Sequence, residues 1–145
     1  MTGNGLQLLL ALWVEGALSL ALLWLMGAQR VPLVMNGKIA VSAIALSREP
    51  WPNKVKQVSN AFDNQFQLPV LLFVAGFTAL YLGPTLFEVL LAWLFVLSRI
   101  VHAIIHVTSN HVIRRFWAYV FGFAVLAGLW LDLLVRLLLA TFGSR

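Results

Sequence analysis

The chain contains no cysteine. It therefore supplies no disulfide, no thiolate ligand and no thiol nucleophile, and its redox compartment cannot be read. Charge is scarce as well: 10% of the 145 residues are Asp, Glu, Lys or Arg, against 61% hydrophobic. A soluble domain of this length could not hide that much apolar surface from water, so the domain sits in lipid. Carboxylates are the rarer sign, five against ten Lys and Arg, for a formal net charge of +5. In so apolar a chain the basic excess bears on membrane topology, and no nucleic-acid partner is expected. Met1 to Gly5 carry no Lys or Arg. A signal peptide needs a basic start and a shorter apolar core, so the first apolar run reads as a retained helix.

Four long apolar runs fill the chain. The first is Leu6 to Met26, interrupted by Gln7 and Glu15; the second is Asn60 to Leu82, polar in its first two turns. Gly83-Pro84 makes a tight turn into the third, Leu86 to Val107. The fourth begins near Phe116 and ends near Phe142, carrying Asp132 and Arg136. Each reaches the roughly 20 residues that a spanning helix needs. Helices are expected because backbone groups in lipid must be satisfied within their own segment. The sequence predicts an all-α membrane protein, a single four-transmembrane-helix bundle over 1–145. Its helices are placed at about 6–27, 59–82, 85–108 and 114–142, with a cytoplasmic loop over about 28–58.

The connections differ in charge. Arg30, Lys38, Arg48, Lys54 and Lys56 crowd the first loop, and Arg114 and Arg115 mark the third connection. The Gly83-Pro84 turn and the N-terminus have no basic residue, and the C-terminus has only Arg145. This bias puts the first and third loops in the cytoplasm and both termini outside. Within the first loop, Ile39 to Leu46 is apolar enough to lie in the interface, and Trp51 suits the headgroup region. Pro52 suits the first turn of an extended second helix.

Polar residues inside a membrane are costly, so they carry most of the information. Asn60, Asp63, Asn64 and Gln67 stand at i, i+3, i+4 and i+7 of the second helix. Arg99, His102, His106 and Asn110 form a similar stripe on the third, with Ser109 beside it. Each stripe spans an arc of about 100°. The second helix starts at the cytoplasmic face and the third ends there, with Arg99 about 12 Å below Val107. The stripes should meet in a polar, net basic pocket in the cytoplasmic half, with Arg114 and Arg115 at its rim.

A structural reading stands beside that one. Polar stripes often only hold helices together by hydrogen bonding, and an Arg99–Asp63 pair would satisfy both charges. It leaves two histidines and two amides unexplained. His102 and His106, at i, i+4, could bind one metal ion, but the glutamate usual beside such a first histidine is absent, and a bis-histidine haem needs facing helices. No metal is expected, and His111 reads as a solvated loop residue. Asp132 and Arg136, also i, i+4, are expected to pair with each other. Glu88 sits near the outer turn, and Glu15 lies deep with no partner legible in the sequence. Ala124 and Gly128, four apart, suggest a helix-packing face.

At these residues the chain resembles the MAPEG family, the membrane-associated proteins of eicosanoid and glutathione metabolism. The resemblance covers nearly the whole chain. Asn64-x-x-Gln67 followed by Pro69 looks like the family's Asn-x-x-Glu with a nearby proline. Arg99-x-x-His102-x-x-x-His106 is similar to its Arg-x-x-Tyr-x-x-x-Tyr, and bacterial branches with His here look closer still. The resemblance implies a homotrimer with a glutathione or lipid site between subunits, open to the cytoplasm, in a bacterial inner membrane rather than the endoplasmic reticulum. It implies catalytic roles for Arg99 and for Arg114 or Arg115. It implies that Asn64, His102 and His106 contact glutathione as co-substrate; the polar stripes themselves add Asn60, Asp63, Gln67 and Asn110 as candidate substrate-binding residues. The implied function is a glutathione-dependent transferase or peroxidase acting on lipophilic electrophiles. Two departures stand out: Gln67 replaces a carboxylate, and Asn60 stands where glutathione-binding members often carry arginine. They leave room for a non-catalytic lipid-binding or scaffold protein, an accessory subunit of a membrane complex.

Overall fold

A computed structural model describes residues 2–143. All regular structure among the described residues is helical: α1 (Gly3–Met35), α2 (Asn53–Asp63), α3 (Leu68–Leu82), α4 (Leu86–Val107) and α5 (Val112–Phe142). Short 3₁₀ turns occupy Val41–Ile44 and Asn64–Phe66. Four segments are long and apolar enough to cross a membrane: α1, Asn53–Leu82, α4 and α5. The protein is an integral, multi-pass membrane protein built as a four-span bundle. The C-terminal Arg145, which enters the charge count, lies outside the described residues.

Two elements depart from the sequence reading. The first helix continues past residue 27 to Met35, with Pro32 inside it. Pro32 removes a single helical N–H, and the helix stops four residues later at Asn36, followed by Gly37 at φ +66°. At 33 residues α1 is about 50 Å long, well beyond a hydrocarbon core of about 30 Å. The second span is longer and broken. It begins at Asn53, after the Pro52 cap, and leaves helical geometry at Gln67, whose φ and ψ are both −104°. Pro69 explains the break: it has no N–H to offer the Gln65 carbonyl, and proline sits comfortably only in the first turn of the helix that restarts there.

The buried stripe of α1 packs Leu8, Ala11 and Leu12 against Leu72, Ala75 and Ala79 of α3, Val89 to Val96 of α4, and Leu126, Leu129 and Leu133 of α5. A second, smaller apolar cluster lies nearer the long loop, joining Leu22 of α1, Ala61 of α2 and Ala103 of α4. Close approach depends on two glycines. A Cβ on Gly76 would meet the Leu12 side chain at 2.8 Å, and one on Gly122 would meet Ser98 Oγ at 2.5 Å. The α5 face against the bundle is thus Gly122, Leu126, Leu129 and Leu133. Ala124 is exposed and Gly128 half-buried with open space around it, so the expected small-residue face is not the one packed inside the protomer.

The end bearing the Gly83-Pro84 turn is fastened by charge. Thr85 and Glu88 form a reciprocal cap at the start of α4, with the Thr85 N–H donating to Glu88 Oε2 at 2.6 Å. Arg136 donates to Glu88 Oε1 at 2.5 Å and to the Leu82 and Gly83 carbonyls at 3.1 and 2.8 Å. Arg136 therefore pairs with Glu88, and the expected Asp132–Arg136 bond is not made. Glu88 is fully buried and already anchored to α4, so it offers Arg136 a dry, fixed partner across the helix pair.

Candidate functional site

At the opposite end, the long loop pins the helices that carry the polar stripes. Arg30 donates to Ser59 Oγ at 2.7 Å and lies 4.9 Å over the Trp51 ring. Trp51 is buried, with the Arg30 guanidinium stacked on its ring. Lys54, in the first turn of α2, donates to the Val107 carbonyl and, at 3.3 Å, to that of Thr108. It caps the carbonyl end of α4, where a cation is favoured. The start of α2 and the end of α4 are thereby held together, and with them the two stripes. The apolar stretch before Trp51 forms the exposed 3₁₀ turn Val41–Ile44.

The stripes meet in an open cleft of about 460 Å³, within the size range of small-molecule sites. Asn60, Asp63, Asn64 and Gln67 line one side, and His102 and His106 form the wall on α4. Arg115, Val112, Phe116 and Tyr119 close it from α5. The Asn64 side-chain amide faces His106 Nδ1 at 3.4 Å. The two imidazoles stand edge to face, 5.6 Å apart, and His102 lies 6.0 Å from the Tyr119 ring.

The predicted arginines take different places. Arg115 lines the cleft and is held by Asn110, whose Oδ1 accepts from Arg115 Nη1 at 2.7 Å. Asn110 is in the left-handed region, φ 50°, at the tight connection into α5, so it orients Arg115 from behind rather than lining the cleft. Arg114 is exposed and is not part of the lining. Arg99 is fully buried behind the histidines. Its Nη2 donates to the Asn64 main-chain carbonyl at 3.1 Å, and its guanidinium lies 5.7 Å from the Tyr119 ring. The break at Gln67 makes this bond possible: a continuous helix would spend the Asn64 carbonyl on the Leu68 N–H.

The Arg99–Asp63 pair offered by the structural reading is not formed. Asp63 turns outward and pairs with Arg48 of the long loop, both side chains being substantially exposed. His111 caps α5, accepting from the Arg114 N–H at 3.4 Å. Among the described residues, no group of three His, Asp or Glu is placed to hold a metal ion.

Sequence reasoning missed Tyr119 and underused Glu15. Val112, Arg115, Phe116 and Tyr119 recur at i, i+3, i+4 and i+7, a helical face that could have been read once Arg115 was singled out. Glu15 is fully buried, and neither carboxylate oxygen has a protein hydrogen-bond partner. Nothing in its local sequence points across to another helix.

The arrangement can take a small, polar, anionic molecule. Arg115 and the amides of Asn60, Asn64 and Gln67 offer donors, the imidazoles offer donors or acceptors, and the buried Arg99 adds positive potential from behind. The sequence profile of the MAPEG family matches residues 8–135, which includes every residue lining the cleft. The chain belongs to the MAPEG family. No curated protein matches it, and no solved structure does.

Proposed function

We propose that this MAPEG-family protein binds glutathione in the cleft and transfers its thiolate to lipophilic electrophiles, as a membrane transferase or peroxidase. The observation that carries the reading is the cleft itself, where Arg115, Asn64, His102 and His106 converge with Arg99 buried behind them. Glutathione brings two carboxylates, for which Arg115 and the side-chain amides are suitable partners. It also brings the sulfur, so the absence of cysteine is no obstacle. The thiolate is the nucleophile, and the Arg99 charge favours it over the thiol. In a transfer, attack forms a sulfur–carbon bond on the electrophile while the bond to the leaving group breaks. In a peroxidase turnover, the sulfur attacks the outer oxygen of the hydroperoxide, the O–O bond breaks and the lipid leaves as its alcohol after taking a proton. A second glutathione thiolate then displaces hydroxide from the oxidised sulfur, leaving glutathione disulfide and water.

In this reading the cleft opens to the cytoplasm of a bacterial inner membrane, with both termini outside. Seven basic residues flank the cleft-bearing end: Arg30, Lys38, Arg48, Lys54, Lys56, Arg114 and Arg115. The working unit is a homotrimer. Its support is family membership together with the broad exposed apolar surface of α5, from Phe116 to Phe142, which must meet lipid or another protomer.

The test is activity. Purified protein in lipid nanodiscs should conjugate glutathione to an aryl halide or reduce a lipid hydroperoxide, and Arg115→Gln should slow both. A second reading has one observation in its favour. A groove of about 500 Å³ along α1 and α3, floored by Leu9, Leu12, Gly16 and Phe73, suits an acyl chain. Turnover of neither substrate, with copurifying lipid in that groove, would favour a lipid-binding scaffold.

A further inference from the structure

The two apolar clusters are separated by a polar layer. On α1 the larger cluster ends at Leu12, with Val14 packed on it, and the smaller begins at Leu18 and Leu22. Glu15 is the residue between them. On α4 the buried part of the larger cluster ends at Val96, with Ile100 packed on it, and the smaller begins at Ala103; Arg99 falls between Val96 and Ala103. On the second span Ala61 belongs to the smaller cluster and Leu68 to the larger, with Asn64 and Gln65 between. Alternating spans make α1 and α4 run in the same direction, so matched positions lie at matched depths. Three helices thus bring Glu15, Arg99 and the Asn64–Gln65 turn to one level of the bundle.

The layer is closed to solvent and short of partners. Glu15 and Arg99 are both fully buried, and Gln65 is 2% exposed. Both oxygens of Glu15, Nε and Nη1 of Arg99, and both amide atoms of Gln65 make no hydrogen bond within the protein. Glu15 and Arg99 are the buried carboxylate and guanidinium of this layer, since the other fully buried carboxylate, Glu88, lies at the opposite end of the bundle. Arg136 is already spent on Glu88, and Arg48 on Asp63. An ionised arginine in a membrane interior needs a counter-charge, and an ionised carboxylate needs one too.

We infer that Glu15 is the positioning residue of the cleft: its buried carboxylate on α1 is the counter-ion that keeps Arg99 charged and aimed at the broken turn of the second span. The inference rests on the glutathione reading for its consequence in the cleft, but not for the pair itself. With Glu15 neutral, the guanidinium loses its reason to stay in the layer. The Asn64 carbonyl then loses its donor, and the Asn64 amide that faces His106 loses its fixed backbone. Glu15 does not line the cleft, so it acts only through Arg99.

A double-mutant cycle tests the pair, using the full chain in mild detergent with thermal unfolding as the readout. Glu15→Gln and Arg99→Gln should each lower Tm, and the double variant should be no less stable than the worse single variant, because removing both charges strands neither. Glutathione titration provides the second readout. Glu15→Gln should weaken binding about tenfold, while Glu15→Asp, which keeps the charge, should retain most of the affinity. Additive losses in Tm, with glutathione affinity unchanged in Glu15→Gln, would overturn the inference. If wild-type protein binds no glutathione, the functional reading fails separately, and the stability cycle alone decides whether Glu15 holds Arg99.

Discussion

The Arg99 guanidinium donates to the main-chain carbonyl of Asn64, 3.1 Å away across two helices. This bond ties the only arginine buried in the cleft-bearing half of the spans, among the described residues, to the place where the second span loses its helical geometry. It also leaves Asp63 free to serve the loop. Asp63→Asn should therefore cost well under 1 kcal/mol, since the Arg48–Asp63 pair it removes is largely exposed and screened. Chemical or thermal unfolding of the variant in detergent measures this, and a loss of several kcal/mol would mean that Asp63 holds Arg99 after all.

At the other end, Arg136 and Glu88 form the staple between α5 and the Gly83-Pro84 turn. Arg136→Leu strands a fully buried carboxylate and should destabilise the fold by about 3 kcal/mol or more. The double variant Arg136→Leu/Glu88→Leu should recover part of that loss. Neither change touches the cleft, so glutathione binding by the folded fraction should survive; a variant that folds fully but no longer binds would show that the two ends are coupled.

Gly122 is a place of close approach between α5 and α4. Gly122→Ala places a methyl group against Ser98 Oγ and should cost about 1–3 kcal/mol. Adding Ser98→Ala removes the obstructing hydroxyl and should return much of it. Thermal unfolding of the single and double variants reads the difference.

Much of the fold was legible because the bilayer imposes its own length and polarity rules. Four apolar runs, a basic loop and the Gly83-Pro84 turn sufficed to find the spans. The ends were less legible: the first helix was ended at about residue 27, where the apolar run gives out before Arg30, yet it continues to Met35, because one proline near the end of a helix removes only one bond. The Asn60–Gln67 stripe was placed on a single regular helix, and its residues do face the cleft, but Pro69 breaks that helix between Asn64 and Leu68. Charge pairing was least legible. Asp132 lies one turn from Arg136, and local spacing favours that pair, but a long side chain finds Glu88 on another helix. The same blindness to contacts between helices hid the shared level of Glu15 and Arg99.

Topology can be tested directly because the chain has no native cysteine. Single cysteines at Thr2 and Ser47 should react with a membrane-impermeant maleimide from opposite sides of sealed vesicles. Labelling of both from one side would contradict the four-span arrangement. For the assembly, native mass spectrometry in mild detergent should give three times the 16.1 kDa protomer mass. A stable monomer that keeps its ligand would contradict a site shared between protomers.

Calorimetric titration of glutathione into wild-type, Arg115→Gln and Arg99→Leu protein tests the central claim most directly. The account predicts saturable binding by the wild type. It predicts a loss of roughly ten- to a hundredfold for Arg115→Gln, the equivalent of a charge-assisted hydrogen bond worth about 1.5–3 kcal/mol, and a smaller loss for Arg99→Leu, whose charge acts from behind the cleft wall. No heat of binding at millimolar glutathione by well-folded wild-type protein, or equal affinity in all three proteins, would contradict it.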